Sequence, residues 1–185
     1  MPQTTVLAMP GWRLEFLRCR QCWSHALHRL TPAGPVELMR STEGGENEIW
    51  PASPPFQELH VHRTAPPLQA ALLVGRAGRS HWSASIELDH VAHAIRFDVA
   101  CRIHARPHRL GSCYSLHAAW LLNGNELLFA GLARLEARFI EVEDSGNEGR
   151  IALRPAMSEL APPYPKTVRW QYRLDALHAA PPRLA

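Results

Sequence analysis

The segment VRWQYRLD, residues 168–175, alternates without a fault: Val168, Trp170, Tyr172 and Leu174 against Arg169, Gln171, Arg173 and Asp175. Successive side chains of a strand leave opposite faces, so this pattern predicts one face on a core and one in water. The same period recurs upstream. It marks strands at 57–63, 69–75, 81–89, 95–104, 113–122, 126–130, 135–143 and 150–155. Asn-Gly between apolar runs in LLNGNELLF is a strong hairpin signal, and DSGNEG at 144–149 reads as a second turn. Many short strands joined by turns, with no βαβ rhythm, predict a mainly β domain, an antiparallel β-sandwich or open barrel.

The N-terminal part reads differently. In GWRLEFLRCRQCWSHALHRL (11–30), Trp12, Phe16, Cys19, Trp23, Ala26 and Leu30 recur at steps of four and three, which predicts an amphipathic helix. Pro32 and Gly34 end it, and the turn-rich stretch to residue 48 reads as linker. The expected organisation is a separable helix and linker over 1–45, a β-domain over 46–180 and a tail over 181–185. The helix would pack Trp12, Phe16 and Trp23 on the β-domain or on a second copy, giving a homodimer. Met39 offers an alternative start for the chain.

A chain of 185 residues buries enough surface to fold without disulfide or metal. Net charge is +3, too weak to argue for nucleic acid. Lys166 is the only lysine, so arginine is a habit of composition and each one carries less weight. No apolar window approaches the roughly 20 residues of a membrane span. Arg13, Glu15, Arg18 and Arg20 interrupt any secretory core, so the expected location is the cytoplasm and the four cysteines are expected to be reduced.

The phrases IWPASPPFQEL, LVGRAGRSHWSASIE, FDVACR, LGSCY and PYPKTVRWQYRL together resemble an uncharacterised family of bacterial proteins over residues 49–174. The resemblance implies one compact domain and no particular activity.

Two turns are basic. GRAGRSH carries Arg76, Arg79 and His81, and the segment after 101 carries Arg102, His104 and Arg109. At one end of a sandwich they would form a mouth for an anionic small molecule or macromolecule, built from guanidinium forks and backbone N–H groups. This non-enzymatic binding role is the first expectation. No Gly-Lys-Ser/Thr follows the glycines, so a nucleotide phosphate loop is excluded. The second expectation is a metal, zinc, held by Cys101, His104, His108 and Cys113 on one hairpin, or by His60 and His62 with His117. Against the first set, Cys101 and His104 leave opposite faces of one strand. Cys19, Cys22, His25 and His28 form a weaker series without a second ligand pair. A hydrolytic triad in HWSASIELDH is disfavoured, since neighbours on one strand face stand about 6–7 Å apart and no nucleophile elbow is present. A structural partner that assembles with another chain is the third reading.

Overall fold

The computed structural model describes residues 3–44, 48–62, 68–143 and 149–177. In chain order the strands are β1 (Thr4–Met9), β2 (Trp12–Cys19), β3 (Cys22–Thr31), β4 (Gly34–Ser41), β5 (Phe56–His62), β6 (Leu68–Ala77), β7 (Ser80–Asp89) and β8 (Ala94–Ile103). They continue as β9 (Ser112–Leu116), β10 (Trp120–Asn123), β11 (Glu126–Phe129), β12 (Ala133–Ala137), β13 (Ile140–Glu143), β14 (Arg150–Leu153) and β15 (Lys166–Ala176). Sheet I runs β1-β2-β3-β4-β9-β14-β13 and sheet II runs β10-β11-β12-β15-β8-β7-β6-β5. Every pairing is antiparallel. The arrangement is that of a β-sandwich. Among the described residues the only helical element is a single 3-10 turn, Met157–Leu160, and no helix is long and apolar enough to cross a membrane.

The alternation in 168–175 becomes β15 at the centre of sheet II, with Val168, Trp170, Tyr172 and Leu174 buried. Inside the sandwich Trp170 meets Trp82 edge to face at 6.2 Å, and Tyr172 stacks on Phe97 at 4.5 Å. Such aromatic pairs add roughly 0.5–1.5 kcal/mol each beyond the area they bury. The Asn-Gly turn closes β10 on β11, with Asn123 opposite Glu126 and Gly124 at φ +60°. Of the second expected turn, residues 144–148 lie outside the described residues.

The expected N-terminal helix is not there. Residues 12–31 are the hairpin β2–β3, closed by a two-residue turn in which Arg20 adopts φ +54°. Trp12, Leu14 and Phe16 point into the core, each fully buried, which is strict period two. The helical reading arose because a step of four is a multiple of two and close to one helical turn, so Trp12 and Phe16 satisfy both periods. The expected linker likewise contains β4. A homodimer built on an exposed helical stripe is therefore corrected, since Trp12, Phe16 and Trp23 are buried within the chain.

Two expected strands each divide between the sheets. Residues 113–122 become β9 in sheet I and β10 in sheet II, and residues 135–143 become β12 and β13. At the first crossing the backbone changes partner, His117 N–H bonding Leu38 O and then Ala130 N–H bonding Ala119 O; at the second the apolar parity flips, from Leu135, Ala137 and Phe139 to Ile140 and Val142. A parity flip marks a break in one strand without showing that the second half pairs in the other sheet.

Gly75 shows how tightly β5 enters sheet II. A Cβ there would lie 1.9 Å from the Pro55 carbonyl oxygen, a backbone atom that cannot swing away. Gly75→Ala should cost about 1–3 kcal/mol, read as a lower melting temperature. An unchanged melting point would mean that Pro55 withdraws freely.

Candidate functional site

Antiparallel register brings part of the expected basic site together. Arg76 on β6 stands opposite His81 on β7, which stands opposite Arg102 on β8, which stands opposite Thr167 on β15. Their neighbours Trp82, Cys101 and Val168 point inward, so Arg76, His81 and Arg102 lie exposed in one row on the outer face of sheet II. They border a groove of about 470 Å³ whose other lining includes Val74, Gly75, Ser83 and Ala100. Glycine, serine and alanine leave the floor low beneath the long arginine side chains.

The row is held from the edge strand. At an irregularity in the β5–β6 pairing, Gln57 turns its side-chain amide onto β6. Its Oε1 accepts from Arg76 N at 2.6 Å, and its Nε2 donates to Arg76 O at 2.9 Å. A side-chain amide thus replaces the backbone ladder and fixes the residue that carries the first cation. Among the described residues, no carboxylate forms an ion pair with Arg76, His81 or Arg102. Glu58 also lines the groove, and its Oε2 faces His60 Nε2 at 3.4 Å.

The remaining expected ligand-binding residues lie elsewhere. Arg79 is exposed in the β6–β7 turn after Gly78, and His104 follows β8, half-buried. Arg109 borders a separate hollow with Arg106, His108, Glu141 and Arg154, where the chain crosses from sheet II to sheet I.

The expected metal constellations do not assemble. The segment from 97 to 114 is not a hairpin: β8 pairs with β7 and β15 in sheet II, while β9 pairs with β4 and β14 in sheet I. Cys101 points into the sandwich from sheet II, and burial pushes its thiol up to about 12. Cys113 alternates with the inward-facing Tyr114 and turns to the other side of sheet I. There Ser53 Oγ bonds its backbone N–H and C=O at 3.0 Å each, and burial first of all pushes its thiol up to about 11. His104 and His108 lie on the crossing segment. His60 and His62 stand on the outer face of the edge strand β5, whereas His117 follows β9 in sheet I, 3.1 Å from Ser115 Oγ and 3.6 Å from Glu37 Oε1. The Cys19, Cys22, His25, His28 series also disperses. Cys19 and Cys22 flank the β2–β3 turn, His25 is buried in the core, and His28 lies near Glu15 and Glu37. Among the described residues no group of three or more His, Cys, Asp or Glu is arranged to hold a metal ion.

One polar arrangement was not anticipated. His25 Nε2 and the Tyr114 hydroxyl lie 2.8 Å apart, and the Tyr114 and Tyr172 hydroxyls 2.5 Å apart, all inside the sandwich. His25 was hidden by the helical reading. Its place opposite inward-facing Phe16 is the signal that reveals it. Burial pushes His25 down to about 3 and both phenols upward, so all three are neutral at neutral pH.

No protein-family model matches the chain, and no curated protein matches it either.

Proposed function

We propose that the chain is a non-enzymatic binding module, and that the groove bordered by Arg76, His81 and Arg102 receives an anionic group. The observation that carries this reading is the cross-strand row itself: three side chains from adjacent strands, on one face, with no carboxylate paired to them among the described residues. A structural surface arginine in this sandwich looks different. Arg154 is engaged by Glu141 and Glu143, Arg169 by Asp98, and Arg173 by Asp175. Two guanidiniums and an imidazole offer forked and ring N–H donors along one groove, which suits phosphate, sulfate or carboxylate.

Calorimetric titration with tripolyphosphate at low ionic strength tests this. Replacing Arg102 by alanine should weaken binding by about tenfold or more, the equivalent of one charge-assisted hydrogen bond. The melting temperature should barely move, since an exposed, unpaired arginine stabilises little. Added salt should weaken the wild-type protein toward the variant. Equal affinities for the two proteins would sink the proposal.

A further inference from the structure

The groove does not end at Ser83 and Ala100. The next outward pair along the same strands, Ser85 and Asp98, begins a second hollow of about 660 Å³, which also takes in Gln171 and Arg173 on β15. Groove and hollow share no lining residue but follow one another along β7, β8 and β15, and together they make a track, the trough, down the outer face of sheet II. Arg102 and Asp98 are four residue steps apart on β8, roughly 13 Å at the usual strand rise.

The two ends differ in charge. At the first, cations are unpaired, as described above. At the second, the cations are matched and two carboxylates are left over. Asp98 is gripped by Arg169 and by Gln171 Nε2 at 3.0 Å, Arg96 meets Asp89 at 3.1 Å, Arg173 meets Asp175 at 2.6 Å, and Arg138 meets Glu159 at 3.2 Å. Glu87 and Glu136 line the hollow with no ion pair among the described residues. Hydrogen bonding from Arg169, with a smaller share from Gln171, holds the Asp98 carboxyl below the usual range although burial opposes it. Such a surface repels a second anion more than it attracts one, and apolar cover would desolvate its ion pairs and carboxylates at a net cost. It offers fixed, planar donors and acceptors at close spacing. Neutral hydroxyl groups, which donate and accept together, fit that pattern.

Other elongated anions fit less well. A nucleobase needs an aromatic platform, and the rings along the trough, Trp82, Phe97 and Tyr172, are 2%, 2% and 4% exposed. An extended peptide needs a free strand edge or apolar pockets, and β7, β8 and β15 are paired on both sides. A lipid needs an apolar cavity, and here only Val74 and Leu72 present aliphatic surface.

We infer that the trough binds an oligosaccharide carrying one terminal anionic group, phosphate or carboxylate, with the anion on Arg76, His81 and Arg102 and the neutral hydroxyl-bearing rings along Ser85, Asp98 and Gln171. This rests on the anion-binding reading of the groove. The experiment compares four probes on the intact chain: inorganic phosphate, a printed array of neutral oligosaccharides, and the same array with terminal phosphate or with terminal uronate. Binding of the anionic-ended sugars at least tenfold tighter than phosphate is expected, and the two ends show which anion is preferred. Gln171→Ala and, separately, Asp98→Asn should abolish that gain and leave phosphate affinity unchanged. Arg102→Ala should weaken both. Phosphate binding that depends on Arg102, beside arrays that show no gain, would overturn this inference and leave the anion site standing. Sugar binding indifferent to both Gln171→Ala and Asp98→Asn would overturn it equally. No binding of phosphate or of any sugar would remove both proposals together.

Discussion

A chain lacking residues 1–45 is expected not to fold. Four of the seven strands of sheet I come from that segment, and they cover the inner face of sheet II. Trp12, Leu14, Phe16, Trp23, Leu27 and Met39 alone are at most 5% exposed. At about 1.5–3 kcal/mol for each large apolar side chain buried, these six contribute roughly 9–18 kcal/mol. That matches or exceeds the typical 5–15 kcal/mol by which a native domain is stable. Polar ties would be lost as well: Trp12 Nε1 donates to His93 O at 3.0 Å, and Arg29 Nε to Leu132 O at 3.0 Å, both bridging to sheet II. Size-exclusion chromatography and near-ultraviolet circular dichroism of the truncated chain decide the matter. A soluble, cooperatively melting fragment would mean that the β-domain is complete without β1 to β4. Trp12→Ala is the milder companion, expected to cost about 3–5 kcal/mol as a buried tryptophan lost to a cavity. An appended helix would lose far less.

The helical signal of the N-terminal segment has a physical cause. In β15 the outward positions are all polar, Thr167, Arg169, Gln171, Arg173 and Asp175, so period two is unambiguous. In 12–19 the outward positions include Leu17 and Cys19, and the hairpin turn is Arg20-Gln21, with neither glycine nor asparagine to mark it. Remove the turn signal, and steps of four and three across two strands imitate one face of a helix. Of sheet II, β5 to β8, β11 and β15 were legible to within a residue or two, because they alternate cleanly between marked turns, whereas β10 and β12 were not. The points at which the chain changes sheet were not, since alternation is a property of one chain and pairing is a property of two.

The site was half legible for the same reason. That Arg76, His81 and Arg102 share a face follows from parity, and parity could be read. That they stand abreast follows from register, which the tight β6–β7 turn sets and the β7–β8 turn continues. Arg109 and the set Cys101, His104, His108 and Cys113 fail where the expected β8–β9 hairpin is a crossing between sheets. Gln57, which pins Arg76, could not have been found, because its role depends on an irregular β5–β6 pairing.

The buried His25 makes acid stability the second large expected effect. Its ring sits among Phe16, Phe97 and Tyr114, and its Nδ1 is buried with no hydrogen-bond partner among the described residues, so a proton there would be an unpaired interior charge. Burial lowers its pKa from 6.5 to about 3. The unfolded chain therefore takes up a proton that the folded chain refuses. Stability from this group is complete above pH 6.5 and is lost as pH falls toward 3, by roughly 5 kcal/mol in all. Glu43 works against it. Its Oε1 accepts from Ser41 Oγ at 2.6 Å, and burial raises its carboxyl from 4.5 to about 7. The folded chain holds that proton more tightly, so stability is lost as pH rises from 4.5 to 7, by at most about 3 kcal/mol for a side chain that keeps some accessible surface. Between pH 4.5 and 6.5 the two slopes nearly cancel. Urea denaturation from pH 3 to 8 should thus show a plateau there, with a steep fall below it. His25→Phe should remove the His25 share of the fall, leaving what Asp89 and Asp98 contribute as their low-lying carboxyls protonate. Glu43→Gln should turn the plateau into a rise toward pH 6.5 and stabilise the protein at pH 7.5. A profile that His25→Phe leaves unchanged would show that surface carboxylates, not the buried imidazole, govern acid unfolding.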